Sequence, residues 1–207
     1  MKKLLSAITF AALLLSGGAH AATLVLDGDF ANGSPTFTTF SSGSSFGPWT
    51  VTSGSVDLIG GYWQSPTAGG GSVDVDGVVP GAFQQVFTAP AGNYVLSFDL
   101  SGNPDGGLGT KFLQVSVGGA TQEFTYTVTG ANARPAPMLY TPETLAFSTA
   151  GGPVTLAFAS LDAGGSFGPV VGGVSVSAVP LPASLMLFGT GLAALFMFAR
   201  RRQSAKV

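Results

Sequence analysis

The feature that most constrains this chain is the run from Ser184 to Ala199, which carries no charge and stops at Arg200-Arg201-Arg202. Just before it stands Val179-Pro180-Leu181-Pro182-Ala183. Proline donates no backbone hydrogen bond and restrains its predecessor to extended conformations, so this stretch ends whatever strand precedes it. Counted from Leu181, the run reaches roughly 28 Å as a helix at about 1.5 Å per residue, close to the ~30 Å hydrocarbon core of a bilayer. A helix apolar on every face belongs in a membrane or at the centre of a large core. The basic cluster decides for the membrane, because arginines at the end of a span hold that end on the cytoplasmic side. We read 184–199 as a transmembrane helix in the inner membrane and Arg200, Arg201 and Arg202 as its stop. Whatever folds in water lies upstream.

The N-terminus carries the matching export pattern. Met1-Lys2-Lys3 is a positive n-region, Leu4 to Leu15 an apolar stretch, and Ala19-His20-Ala21 a small-x-small site for signal peptidase. Residues 1–21 are read as a signal peptide cut after Ala21, 22–178 as the exported domain, and 179–207 as a sorting tail. The middle is one domain's worth of chain, enough to bury a core without covalent staples.

Charge and missing residue types narrow the chemistry. Of the eight Lys and Arg, all but Lys111 and Arg134 lie in the terminal segments, whereas all ten Asp and Glu lie between them. Two cations against ten carboxylates put the exported part at −8, hidden beneath a whole-chain charge of −2. Such a surface repels phosphate backbones, so nucleic acid is not an expected partner. It can attract calcium, which prefers carboxylate and carbonyl oxygens. There is no cysteine, and the single histidine, His20, falls inside the signal peptide. The exported part therefore lacks the imidazole and thiol that most hydrolytic and thiol-metal chemistries need.

Thirty-one glycines with abundant Thr, Val, Ser and Phe indicate strands and turns. A short strand is expected from Thr23 to Phe30, a long surface loop from Asn32 to Gly47, and one strand from Thr50 to Ile59. Ser72–Asp76, Gly81–Thr88 and Tyr94–Leu100 follow, the last placing Tyr94, Leu96, Phe98 and Leu100 on one face. Further strands are expected at Phe112–Val117, Glu123–Val128, Glu143–Phe147, Val154–Ser160 and Val170–Ala178. Nine or ten strands without a convincing helix predict an all-β fold, an antiparallel β-sandwich of jelly-roll type. Ser-Phe-Gly-Pro occurs at 45–48 and again at 166–169, too irregularly placed to define a repeat.

The tail, with its Pro-rich motif, apolar helix and basic end in that order, resembles the PEP-CTERM sorting signal of Gram-negative, exopolysaccharide-producing bacteria. It is the variant reading Val-Pro-Leu-Pro-Ala, with Leu181 where the commoner form has glutamate. The resemblance implies an exosortase that cuts near the motif, after transient anchoring, and delivers the domain to the cell surface or exterior.

The domain itself resembles the bacterial choice-of-anchor C family, related to plant cell-wall proteins with a galactose-binding-like jelly roll. Carrying the resemblance are Asp27-Gly28-Asp29-Phe30, Trp49 with Ser55–Ile59, and Ser72-Val73-Asp74-Val75-Asp76-Gly77. It continues through Gly81–Phe87, the block from Tyr94 to Asn103-Pro104, and Phe167–Val171. It implies an extracellular module associated with polysaccharide or matrix, with no catalytic residues. Related jelly rolls hold a structural calcium with carboxylates on their first and last strands. Ala31 and Gly172 stand where two of those ligands would be, which weakens the calcium case; Asp27 or Asp29 could substitute only in part.

Each candidate site also has a plainer role. Tyr62 and Trp63 in a Gly-rich loop suit the apolar faces of sugars, with Asp57, Gln64 and Asn103 to take hydroxyls. The alternative is that both tryptophans fill the core, Trp49 more so than Trp63. Asp74 and Asp76 can ligate calcium, against a default of solvated turn carboxylates, and as strand neighbours they suit a glycosidase pair poorly. Lys111 and Arg134 can meet an acidic ligand such as a uronate, or do nothing specific. The reading is a non-enzymatic exported module that associates with extracellular polysaccharide or biofilm matrix. The alternative is a self-associating structural surface protein without a sugar site, and a carboxylate-only hydrolase ranks last.

Overall fold

The computed structural model describes residues 24–31, 36–130 and 138–180. The expected signal peptide, Arg134 and the apolar helix with its basic end lie outside the described residues, as do Leu181, Pro182 and Ala183 of the Pro-rich motif. No helix of the described residues is long and apolar enough to cross a membrane.

Twelve strands are described. They are β1 (Phe37–Ser41), β2 (Ser45–Phe46), β3 (Trp49–Ser53), β4 (Ser55–Ile59), β5 (Ser72–Asp74) and β6 (Ala82–Ala89). Then come β7 (Gly92–Gly102), β8 (Gly109–Val117), β9 (Ala120–Val128), β10 (Thr141–Thr149), β11 (Gly152–Ser160) and β12 (Pro169–Ala178). They form two six-stranded sheets, ordered β1-β4-β5-β12-β7-β10 and β2-β3-β6-β11-β8-β9. Every strand pairing is antiparallel. The all-β sandwich read from the sequence is the observed architecture.

The inner faces meet in one core. Tyr94, Leu96, Phe98 and Leu100 of β7 are buried together, as their alternation requires, facing Leu113 and Val115 of β8 and Leu156 and Phe158 of β11. Aromatic rings run through its centre: Trp49 meets Phe83 at 5.3 Å, and Phe83 stacks on Phe158 at 5.2 Å. Each such side chain contributes about 1.5–3 kcal/mol by leaving water, and each ring pair roughly 0.5–1.5 kcal/mol more. Trp49 is fully buried, with its indole N–H donated to the Asp27 carbonyl at 3.1 Å.

Three expectations need correction. Thr50 to Ile59 is two strands, β3 and β4, in opposite sheets. The chain changes sheet at Gly54, whose φ of 53° an L side chain adopts at a cost, and whose Cβ would lie 2.0 Å from the Pro80 carbonyl oxygen. The described part of the expected Asn32–Gly47 loop instead holds β1, an edge strand, and β2; β1 turns Phe40 to the core and Phe37, Thr39 and Ser41 to the outer face. Residues 24–30 form no regular strand. Leu24 bonds to Val176, and Leu26 exchanges two hydrogen bonds with the Gln85 amide, each 2.8 Å long. A side chain there replaces a neighbouring backbone, so the segment crosses the sandwich without joining a ladder.

Candidate functional site

The outer face of the first sheet holds the polar groups. In β4, Val56 and Leu58 point into the core, which turns Asp57 and Ile59 outward. Register then sets Thr39 beside Asp57, Asp57 beside Asp74, and Asp74 beside Val170. Two carboxylates directly opposite one another repel, so each needs compensation. Thr39 donates its hydroxyl to Asp57 at 2.6 Å. Asp74 is fully buried and receives three N–H groups: Asn103 Nδ2 at 2.5 Å, the Asp76 amide at 3.0 Å and the Gly168 amide at 3.1 Å. Burial pushes Asp74 well above the usual carboxylate range, countered first by the Asp76 amide and then by Asn103. Burial also raises Asp57, with the Thr39 hydroxyl opposing it.

Asn103 is the joint of this arrangement. One end donates to Asp74, while its Oδ1 accepts the Asp105 amide at 2.8 Å, closing the turn that carries Asp105 to the rim. The two motif blocks singled out in the sequence thus meet through a single hydrogen bond. Asp74 and Asp76 are not solvated turn carboxylates: both are buried. Among the described residues neither oxygen of Asp76 has a partner at good hydrogen-bond geometry, the Ser160 hydroxyl being its one polar side-chain neighbour that lowers its pKa by hydrogen bonding. Burial pushes Asp76 up to about 6; the nearby Ser160 hydroxyl and Lys111 lower it, and Asp162 raises it. Lys111 itself is held by the Phe167 carbonyl and lies 3.9 Å from Asp162.

Over the row Thr39–Asp57 opens a cleft of about 300 Å³. Phe37, Tyr62 and Trp63 wall one side, with Phe37 and Tyr62 edge to face at 5.5 Å. Phe167 and Ser166 line it as well, together with Asn103, Asp105 and the Gly77-Val78 turn. Tyr62 is 39% exposed and Phe167 45%, but Trp63 only 8%. Its indole N–H is donated to Ser72 at 2.9 Å, and its ring packs in a small second cluster with Ile59, Met138 and Val170. The expected pair of aromatic platforms is thus one open ring and one ring seated beneath the surface. Gln64 does not line the cleft; it accepts the Met138 amide at 3.0 Å and braces that second cluster.

The structure therefore brings together Asp57, Tyr62, Trp63 and Asn103 and leaves Gln64 outside. Phe37, Thr39, Asp105 and Phe167 are lining residues that the sequence reading missed. Asp74 does not suit a calcium ion. Asp74 faces N–H donors, the reverse of a cation shell, and no group of three His, Cys, Asp or Glu among the described residues could hold a metal. At the position of the related calcium ligands, Ala31 is exposed and Gly172 is packed under Pro66, so neither supplies a side-chain oxygen.

No curated protein matches this chain. Among solved structures it is similar to CBM35 from Paenibacillus barcinonensis, at 18% identity over 69% of this chain and 99% of that one, with a TM-score of 0.44. It is also similar to TmCBM61, solved in complex with beta-1,4-galactotriose, at 14% identity over 77% of this chain and 100% of that one, TM-score 0.49. A third is the CBM22-1 xylan-binding domain of Paenibacillus barcinonensis Xyn10C, at 12% identity over 78% and 97%, TM-score 0.45. Residues 178–202 match the PEP-CTERM protein-sorting motif. Residues 23–177, essentially the whole sandwich, match the family described as "Protein of unknown function (DUF642)", and the chain belongs to that family.

Proposed function

We propose that this protein is an exported, non-catalytic module that binds extracellular glycan and is sorted by an exosortase through its C-terminal motif. The observation that carries this reading is the cleft on the outer face of the first sheet. It sets the open rings of Tyr62, Phe37 and Phe167 around the Asp57 carboxylate. Sugar rings offer apolar C–H faces to aromatic rings and hydroxyls to carboxylates, and this lining has both in one hollow. The PEP-CTERM motif supports export and exosortase processing, with the inner membrane and signal peptidase as earlier partners. The same geometry gives no glycosidase pair from Asp57 and Asp74. A glycosidase needs two carboxyls facing a substrate from opposite sides, whereas Asp57 and Asp74 are side by side on adjacent strands and Asp74 is buried.

The test is glycan binding by the purified chain, with Tyr62→Ala as the disabling variant. Losing one stacking ring should weaken retention by about tenfold, in line with roughly 1 kcal/mol or more for an aromatic contact. Gln64→Ala should leave it nearly unchanged. Equal loss in both variants would count against the cleft. Concentration-dependent self-assembly insensitive to any sugar would favour the structural alternative.

A further inference from the structure

We infer that the cleft grips the terminal one or two units of a glycan chain and does not admit the interior of one. This rests on the glycan reading above and specifies which part of the polymer is held. Across the first sheet, Thr39 of β1, Asp57 of β4 and Asp74 of β5 stand side by side on the outer face. Thr39 is exposed, Asp57 half-buried and Asp74 fully buried, so the floor passes under cover within two strand spacings, about 10 Å. Two loops make the cover. Asn103 bonds down onto Asp74, and the Trp63 indole onto Ser72, the other outward residue of β5. A ligand entering over β1, the edge strand, therefore meets a blind end at β5.

Along β4 the cleft is stopped in both directions. At the Ile59 end the rings of Phe37 and Tyr62 stand edge to face at 5.5 Å, one rising from β1 and the other from the loop after β4. At the Ser55 end the Gly77-Val78 turn is tied down. The Gly77 amide donates to the Ser55 carbonyl at 2.9 Å, and the Val78 amide to the Ser55 hydroxyl at 2.7 Å. Ser166 donates its hydroxyl to the Val78 carbonyl at 3.3 Å, joining that turn to the Phe167 wall. Ser55 and Ile59 are the two ends of β4, so these stops lie roughly 13 Å apart at about 3.3 Å per residue. A polymer lying through a groove needs it open at both ends, and described residues close this one on three sides. Its volume of about 300 Å³ stands at the bottom of the range of roughly 300–1,000 Å³ for small-ligand pockets, room for a sugar or two and not for a run of them.

The experiment is calorimetric titration of the full chain, purified in a sugar-free detergent, with cello-, xylo-, galacto- and glucosamine oligosaccharides of one to six units. In the series that binds best, we expect affinity to rise up to two or three units and then to change less than twofold up to six. Tyr62→Ala should weaken the two-unit and six-unit probes by the same factor, because both end in the same hollow. Cutting the matching polysaccharide with an endo-acting glycosidase multiplies chain ends at constant mass, and the protein it binds at saturation should rise in proportion. An affinity that keeps climbing severalfold from three units to six, or saturation that follows polymer mass however finely it is cut, would overturn the inference and leave the glycan reading standing. Binding of no probe at any length would overturn the glycan reading itself.

Discussion

Asp76 is buried with no well-formed hydrogen bond to either carboxylate oxygen among the described residues, and Gly168 lies so close that a Cβ there would fall 2.5 Å from its Cγ. Such a group is more stable neutral than charged, and its folded pKa of about 6 stands above the ordinary 3.8. The sign follows from proton counting. Between about 6 and 3.8 the folded protein holds a proton that the unfolded chain has released, so acidification favours folding across that window. Above about 6 the carboxylate is charged in both states and the stabilisation is gone. Burial raises Asp57, Asp74 and Asp99 in the same direction. We expect the melting temperature to rise as pH is lowered from 7 towards 5, and Asp76→Asn to flatten that slope. At neutral pH the same variant should gain stability, because it removes a charge that burial disfavours while keeping the shape of the side chain. A flat wild-type profile would contradict this. Asn103→Ala should act oppositely, costing about 2–3 kcal/mol in urea unfolding because a buried carboxylate loses its side-chain donor. Neither role was legible in the chain, since Asp74 and Asn103 meet only through a contact 29 residues apart in sequence.

Among the elements, β7 and β11 were readable because a period of two buries every second large residue, as in Val154, Leu156 and Phe158. The split of β3 from β4 was written in the same pattern and missed. Val51 and Val56, both buried, are five apart, an odd spacing that one strand cannot place on a single face. Gly54 absorbs that change of phase. Gly54→Ala should therefore cost about 2–4 kcal/mol, combining left-handed strain with a collision at the Pro80 carbonyl. Gly43→Ala is the contrast: its φ of 88° is also left-handed, but a Cβ meets nothing within 4 Å. Strain alone should cost it about 1–2 kcal/mol, and denaturant midpoints of the two variants test the difference. The two Ser-Phe-Gly-Pro copies make the complementary point. Phe46 is buried in the core, whereas Phe167 stands open at the cleft, so an identical tetrapeptide takes its role from the elements around it.

At the scale of the molecule, composition pointed to a sandwich, which is the fold observed. The cleft was only half legible, because its lining comes from loops and edge strands that the sheet order alone brings together. The sorting motif carries its own expectation. Secreted material should lack the span from Leu185 to Val207, and an intact mass that includes it would contradict processing. The path of β12 adds a last point. The strand begins at Pro169, beside the hollow ringed by Phe167 and Asn103, and ends at Ala178, after which the Val179 amide bonds to the Asn93 carbonyl at the far pole. Its ten residues run about 30 Å at ~3.3 Å each. A leash attached at the C-terminal end would therefore pull from the side opposite the mouth, leaving the described lining of the opening turned away from the point of attachment.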